Sequence, residues 1–248
     1  YHFFRQNFSQ VTNPPIDSLR ENKVMSLKTR FGNLGNILDF SNLTEENIYV
    51  LDSPILSNSQ LEKFTNFFEK SSIVIDCTFD KNDNLQKAID KVKQESVIAV
   101  RKGVTQLILS DKNVSENRLA IPMLLSVGAI NTFLIKHKLR GYASINAQTG
   151  EALDTHSFAT LIGVGATTVN PYLALDSLYQ RFEKKLFGSY GYDECIERYI
   201  KSVNYGLLKI MSKMGISVLS SYRGGCNFET VGLSRTIASE YFPGVLSK

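Results

Sequence analysis

The sequence predicts an α/β fold in which parallel βα units form a rudimentary or incomplete barrel of the TIM type. Short apolar strand candidates alternate with longer helical stretches, and they recur at roughly the length of one βαβ unit. Two helices, 171–187 and 193–214, follow each other without a clear strand between them, so the barrel is expected to be irregular. A doubly wound open sheet is the alternative. No linker interrupts the chain, and residues 1–248 are predicted to form one domain.

The first elements are predicted from prolines, caps and glycines. Residues 1–15 end in two prolines and are expected to be extended or looped. Asp17 can cap a helix that runs to about Arg30, because its carboxylate accepts hydrogen bonds from the amides of a first helical turn. Gly32 and Gly35 then mark a turn.

From residue 48 onward, short apolar runs alternate with stretches that have a period of about 3.6 residues. Strands are predicted at the apolar runs 48–51, 72–78, 104–109 and 142–146. Helices with one apolar face are predicted at 58–69, 85–100, 122–138 and 154–162, the last capped by Asp154.

The last third of the chain is predicted to be mainly helical. Asn170 is the expected cap of the helix 171–187, and the helix 193–214 has the clearest apolar stripe. A strand at 216–220 and a helix after Gly225 are expected to follow.

Composition and charge exclude several classes of protein. The 28 basic and 24 acidic residues give a net charge of +4, too small and too scattered for a nucleic-acid or anionic-membrane surface. The longest apolar stretch, 119–135, contains Pro122 and several polar residues, and is interpreted as a buried helix. Cys77, Cys195 and Cys226 lack metal-ligand spacing and are too few for a disulfide scaffold, which indicates a reducing, cytoplasmic setting.

One glycine turn is a candidate anion site. Arg223, Gly224 and Gly225 follow a predicted strand and precede a predicted helix, so helix-start amides and the guanidinium could hold an anion at the end where barrels bind ligands. An ordinary turn is the alternative. The GxG that starts at Gly163 follows a helix and has Thr168 in place of a third glycine, so it fails as a dinucleotide fingerprint.

The residues predict no catalytic, cofactor-binding or metal-ligating site. His2, His137 and His156 lie far apart in the sequence, and no nucleophile is recognisable beside any of them. Asp76 and Asp111 follow predicted strands, where an acid either acts in catalysis or caps the following turn.

Four long stretches resemble the large subunit of glutamate synthase. They begin at Phe8, Val74, Glu151 and Gly206 and read FSQVTNPPIDSLRE, VIDCTF, EALDTHSFATLIGVGATTVNPYL and GLLKIMSKMGISVLSSYRGGCNFETVGL. Their order along the chain agrees with the family, and the tail EYFPG continues the match. Ser18 departs from the family's usual proline, and both residues fit the first turn of a helix.

The resemblance implies the family's central domain, which lies between the glutamine amidotransferase domain and the FMN-binding domain and has a rudimentary barrel fold. Its C-terminal end is expected to lead toward the FMN-binding domain. The parent enzyme is an oxidoreductase that makes L-glutamate from L-glutamine and 2-oxoglutarate. It uses FMN and a 3Fe-4S cluster, with NADPH and FAD or ferredoxin as the electron source.

No catalytic residue of the family carries over to this sequence. The amidotransferase nucleophile is an N-terminal cysteine, whereas this chain begins at Tyr1, and the cluster needs three closely spaced cysteines. The chain alone is therefore expected to be inactive and to bind no FMN tightly. An autonomous barrel enzyme or flavin-binding domain of common ancestry is the alternative.

The resemblance also implies a connecting role, in which the domain positions its neighbours and shelters the passage of ammonia. Thr12 and Asn13, in a loop stiffened by two prolines, are expected to border that passage. The implied partners are the other domains of the same large subunit and either a small electron-delivering subunit or ferredoxin. The aromatic rings of Tyr1, Phe3, Phe4 and Phe8 are expected to form an exposed interaction surface.

Overall fold

A computed structural model of the chain describes residues 1–8, 14–17, 19–32, 48–225 and 227–248. The helices of these ranges are α1 (Glu21–Val24), α2 (Asn58–Phe68), α3 (Leu85–Arg101), α4 (Met123–Lys136), α5 (Thr155–Gly163), α6 (Tyr172–Glu183), α7 (Tyr192–Lys213), α8 (Leu219–Tyr222) and α9 (Arg235–Tyr241). The strands are β1 (Phe4–Gln6), β2 (Thr29–Phe31), β3 (Tyr49–Leu51), β4 (Ser72–Asp76), β5 (Thr78–Asp80), β6 (Gln106–Ser110), β7 (Arg118–Ala120), β8 (Ser144–Gln148), β9 (Thr168–Asn170), β10 (Phe228–Thr230) and β11 (Leu246–Ser247).

A parallel sheet with the strand order β4-β6-β8-β9 forms the centre of the fold. An isolated parallel bridge between Ile55 and Val169 continues the sheet beyond β9. Because a closed TIM barrel has eight strands, this sheet is an open portion of one within the described ranges. The predicted α/β fold with parallel βα units and an incomplete barrel is confirmed.

The two faces of the sheet differ in polarity. Ile75, Leu107 and Ile145 lie on the face that joins the main hydrophobic core with α3, α4 and α5. On the opposite face, Thr168 Oγ1 donates to Asn146 Oδ1 at 2.7 Å, and both residues are buried. Barrel interiors are usually filled by branched apolar side chains, so this polar face departs from the barrel pattern.

One of the two predicted caps in the middle of the chain forms. The Asp154 carboxylate accepts from the Ser157 amide at α5, as predicted, and a capping box of Ser57 and Gln60, which was not predicted, begins α2. Pro171, without a side-chain hydrogen bond, takes the cap position at α6, while the predicted cap Asn170 belongs to β9.

The predicted helix from Asp17 to Arg30 is wrong. Among the described residues of this stretch, helix is confined to Glu21–Val24, and Thr29–Phe31 pairs antiparallel with Tyr49–Leu51. The Asp17 carboxylate accepts from the Leu19 amide and closes a turn instead. Leu19 is 85% exposed, whereas Leu27 is buried in the main core from the extended segment after α1, so the apolar residues of this stretch do not share one helical face.

The predicted strand at 216–220 is also wrong, and the segment after Gly225, predicted to be helical, is helical only at α9, Arg235–Tyr241, among its described residues. Val218 makes a single parallel bridge to Ser26, and Leu219–Tyr222 is a helical turn. Leu219 and Tyr222 are three residues apart and both fully buried, which is a helical spacing. The segment that follows contains the strand Phe228–Thr230.

The N-terminal aromatic surface is partly as predicted. Phe3 and Phe8 are exposed, but Phe4 is buried, because pairing of β1 with β10 turns its ring toward Phe228 and Phe242. The centroid of the Phe4 ring lies 6.0 and 4.9 Å from these two rings, in edge-to-face contacts. Tyr1 is partly buried. None of the helices in the described ranges has both the length and the hydropathy needed to span a bilayer.

Candidate functional site

The carboxyl ends of the parallel strands are where open and closed α/β folds usually bind ligands. In this chain β4, β6, β8 and β9 end in Asp76, Ser110, Gln148 and Asn170. All four have polar side chains, and their hydrogen bonds show whether this edge is available to a ligand.

Three of these side chains form a continuous hydrogen-bonded chain. Ser110 Oγ donates to Gln148 Oε1 at 2.8 Å, and Gln148 Nε2 donates to Asn170 Oδ1 at 3.3 Å. Asn170 Nδ2 then donates to the Leu56 carbonyl at 2.9 Å and to Asn58 Oδ1 at 3.0 Å. This series of hydrogen bonds connects β6, β8 and β9 to the segment that begins α2. The sequence does not reveal this hydrogen-bonded network, because the short strand β9 carries no strong apolar signal.

Asp111, directly after β6, is held by the turn after β8. Its Oδ2 accepts from Thr149 Oγ1 at 2.5 Å, and its two oxygens lie 3.1 and 3.2 Å from the Gly150 amide. Asp111 is 2% exposed. Burial, followed by the charge of Asp111, raises the pKa of Tyr172. Of the two roles that the sequence allowed, this geometry is that of an acid fixing a turn.

Asp76, at the end of β4, is similarly engaged. Its Oδ1 accepts from the amide and hydroxyl of Thr78 at 2.9 and 2.7 Å, and its Oδ2 accepts from Arg118 at 2.9 Å and from Asn113 at 3.1 Å. Burial raises the pKa of Asp76, but these hydrogen bonds and the Arg118 charge together hold it below its usual value. The carboxylate therefore binds β5 and β7 to the end of β4.

Glu151, which follows β8, accepts a hydrogen bond from the first residue of α4. Its Oε2 accepts from the Met123 amide at 3.1 Å, which satisfies one of the free amides of the first helical turn. Burial raises the pKa of Glu151, and the charge of Asp111 adds to the effect. The hydroxyl of Tyr1 is buried close to Glu151 without a hydrogen bond of good geometry.

The described cysteines do not fit an iron–sulfur cluster. Burial raises the pKa of Cys77 to about 12, and its Sγ donates weakly to the Ile75 carbonyl at 3.7 Å. Cys195 is buried within α7, and Cys226 lies outside the described residues. A cluster needs thiolates, which a buried apolar site disfavours. Within the described ranges, no three His, Cys, Asp or Glu side chains are grouped as metal ligands would be.

The predicted anion candidate lies at the opposite end of the sheet from the one expected. The Gly224 amide donates to the Gly163 carbonyl at 3.0 Å, just before the amino end of β9. Arg140 reaches the same turn, because its Nη2 donates to the Gly165 carbonyl at 2.9 Å. The expected position at the ligand-binding end was therefore wrong, since it rested on the strand 216–220 that does not form.

The amides of this turn do not fit a phosphate cradle. The Gly225 amide donates to Tyr222, and a Cβ on Gly225 would lie 3.0 Å from the Asn227 side chain. The glycine thus makes room for Asn227 and not for a flavin phosphate. Arg223 is different, because its Nε is buried without a hydrogen-bond partner, and burial lowers the pKa of Arg223. Anion binding by Arg223 stays a prediction, without the contribution expected from Gly224 and Gly225.

Thr12 and Asn13 lie outside the described residues, so their role at an ammonia passage stays a prediction. The next described residues after them are anchored. The Ile16 amide donates to the Ser212 carbonyl of α7 at 2.7 Å.

Comparison with known proteins shows what this chain is similar to. The family described as "Glutamate synthase central domain" matches residues 1–234. The whole chain is 51% identical to the glutamate synthase [NADPH] large chain of Azospirillum brasilense and 40% identical to that of Bacillus subtilis. It is 39% identical to the chloroplastic ferredoxin-dependent glutamate synthase of Spinacia oleracea. The chain spans 16% of the length of each of these relatives.

Similar solved structures include a flavocytochrome b2 mutant with benzoylformate and mandelate oxidase with (S)-2-phenylpropionate. The first has a TM-score of 0.45 and 14% identity over 68% of this chain and 38% of that one. The second has a TM-score of 0.41 and 13% identity over 57% of this chain and 42% of that one.

Proposed function

The chain belongs to the glutamate synthase family, as its central domain, and on that premise we propose that residues 1–248 connect and position the amidotransferase and FMN-binding domains of a large chain. In this proposal the domain also shelters ammonia that passes between them. The whole large chain makes L-glutamate from L-glutamine and 2-oxoglutarate, and this domain contributes placement without chemistry of its own.

The observation that carries the proposal is the closed hydrogen bonding at the carboxyl ends of the strands. Ser110, Gln148 and Asn170 bond to one another, Asp111 accepts from the turn after β8, and Asp76 accepts from Thr78 and Arg118. A catalytic edge presents polar groups that substrate can reach, whereas here those groups hold strands and turns together. The edge acts as structural support, which is what a connecting domain requires.

The cofactors and electron donors of the reaction belong, in this proposal, to the remainder of the large chain and its partners. The chain spans 16% of its relatives, which leaves most of the polypeptide for an amidotransferase domain, FMN and a 3Fe-4S cluster. Electrons arrive from NADPH through FAD on a small subunit or from ferredoxin, and the enzyme works in the cytoplasm.

Sheltering matters because ammonia is mostly ammonium in water, and ammonium is not a nucleophile. A walled passage keeps the molecule neutral and close to its acceptor, which replaces diffusion by proximity. Thr12 and Asn13 are the proposed polar groups along it, acting by contact. The segment that follows them is fixed to α7 through Ile16 and Ser212.

The test measures coupling in the full-length enzyme with Asn13→Ala. Glutamine hydrolysis and ammonia-dependent glutamate formation should both persist, while glutamate formed per glutamine hydrolysed falls and free ammonia accumulates. Asn117→Ala is the control, because Asn117 is an exposed amide in the turn before β7. An unchanged ratio in Asn13→Ala would remove Asn13 from the passage.

One observation favours the second candidate, a flavin-binding domain of common ancestry. The Nε of Arg223 is buried without a hydrogen-bond partner, so this donor is available to a bound anion. Titration of the chain with FMN discriminates between the two functions. The connecting role predicts no sub-micromolar fluorescence quenching, and sub-micromolar quenching that is lost in Arg223→Ala would support the flavin binder.

A further inference from the structure

Strand β4 forms an open lateral edge of the parallel sheet. It pairs with β6 through all five of its residues and with no other strand in the described part of the chain. The amides of Val74 and Asp76 therefore point away from β6 without a strand to receive them, while the outward amide of Ser72 donates to the Glu69 carbonyl. Natural proteins usually protect such an edge with charges, prolines, bulges or a covering element.

The edge carries apolar side chains where protection would be expected. Ile73 is 41% exposed and Val74 is 58% exposed, one on each face of the strand. On the neighbouring helix α3, Ile98 is 51% exposed. Together with Ala99 and Val104, these residues line a groove of about 370 Å³ between the strand edge and the helix. A flat apolar edge beside an apolar groove is an interaction surface.

The element that could cover this flank packs elsewhere. Helix α2 precedes β4 in the sequence and would lie beside α3 in a regular barrel. Here it packs on the antiparallel pair of β2 and β3 instead, and Leu61 and Phe64 join Phe31 and Leu51 in a separate hydrophobic cluster. The groove beside β4 is thus a consequence of the incomplete barrel.

The rim of the groove carries a small net positive charge. Lys91 and Lys102 are exposed on it, and Glu95 is the acidic side chain between them on α3. Arg118 and Asp76 also border the groove, but they form an ion pair with each other at 2.9 Å. The charge left for a partner is positive, so an occupant with acidic residues is complementary.

We propose that an extended segment of the same large chain, from outside residues 1–248, pairs with β4 as an additional strand. It places an apolar side chain against Ile73 and Ile98, and acidic side chains beside Lys91 and Lys102. Main-chain hydrogen bonds to a strand edge with a side-chain pocket alongside are a common mode of peptide recognition. The relatives are about six times as long as this chain, since it spans 16% of them, which supplies the segment. The inference rests on the proposed connecting role in one respect, which is that the occupant belongs to the same polypeptide.

Photocrosslinking in the full-length large chain tests the contact. A benzophenone amino acid replaces Ile98, and a matched control carries it at Leu186, an exposed leucine that follows α6. The protein is prepared as a mixture of isotopically heavy and light chains, so that mass spectrometry separates crosslinks within one chain from those between copies. We expect crosslinks from position 98 within one chain to a peptide outside residues 1–248, at a yield several-fold above the control.

Three results would overturn the inference: a yield equal to the control, crosslinks confined to residues 1–248, or mixed heavy–light crosslinks that identify a second copy. A probe at Lys102 on the exposed rim repeats the test if position 98 tolerates the benzophenone poorly. The coupling ratio of Asn13→Ala is a separate measurement, so loss of the β4 contact and loss of the connecting role are distinguishable.

Discussion

The carboxyl ends of the strands and the lateral edge at β4 belong to the same sheet but have opposite characters. At the carboxyl ends, polar side chains such as Gln148 and Asn170 are bonded to neighbours within the chain. At the lateral edge, Ile73 and Val74 are exposed beside a groove. A barrel enzyme has the reverse arrangement, with open strand ends and a laterally closed sheet. The proposal that the lateral edge, and not the strand ends, meets another protein segment rests on this contrast.

The largest expected effect comes from two adjacent residues of β4. Ile75 is 2% exposed in the main core and Val74 is exposed, so Ile75→Ala should lower the free energy of unfolding of the 248-residue chain by about 3 kcal/mol. Val74→Ala should change it by about 0.5 kcal/mol or less. Urea unfolding measures both. Comparable losses at the two positions would mean that the chain itself covers the β4 edge.

A second prediction concerns Asp111 at the closed end. Asp111→Ala leaves the Thr149 hydroxyl and the Gly150 amide without their acceptor in a buried site. We expect a loss of about 2–3 kcal/mol in the free energy of unfolding, since each unsatisfied buried donor is costly. Asp176→Ala, at an exposed position of α6, is the control, with a change of about 0.5 kcal/mol or less. If both variants unfold alike, the closed end contributes nothing to stability.

Asn170→Ala should have a smaller effect, about 1–2 kcal/mol. It removes the bonds to Leu56, Asn58 and Gln148, but Asn58 is exposed and Gln148 is half-buried, so two of the three groups can bond to water instead. Amide hydrogen exchange should accelerate at the start of α2 and in β9. Exchange that is unchanged at the start of α2 would contradict a link between this helix and the strand ends.

The smallest effect is a pH dependence at Glu151. Burial raises the folded-state pKa, so this group's contribution to stability is fully present below the unfolded carboxyl pKa of about 4.3 and is lost as the pH rises through the folded value. Glu151→Gln keeps an acceptor for the Met123 amide without the charge. The variant should therefore gain stability relative to wild type between about pH 4 and pH 7. Unfolding curves at the two pH values test the sign, and a relative loss would contradict it.

The sequence was most informative between residues 48 and 215, where local periodicity and capping decide the structure. Ser57, Asp154 and the stripe of α7 that contains Leu207 each have a local signal, and the helices form as predicted. Near both ends of the chain the structure depends on distant partners. Thr29–Phe31 becomes a strand because Tyr49–Leu51 pairs with it, and Phe228–Thr230 because β1 does.

The site was harder to predict than the fold, for a physical reason. The contact of Gln148 with Ser110 and Asn170 follows from strand register, which local pattern does not report. The position of Arg223 was mispredicted together with the strand before it. The resemblance to glutamate synthase, by contrast, rests on long matching stretches of sequence and does not depend on strand register.

Hydrogen exchange at β4 tests the central claim most directly, by comparing the 248-residue chain with the full-length large chain. We predict that the Gly150 amide, which donates to Asp111, exchanges slowly in both proteins. The outward-facing amides of Val74 and Asp76 should exchange rapidly in the 248-residue chain and slowly in the full-length chain, where another segment covers them. Equal exchange at β4 in the two proteins, or rapid exchange at Gly150, would contradict the distinction between a closed strand end and an open lateral edge.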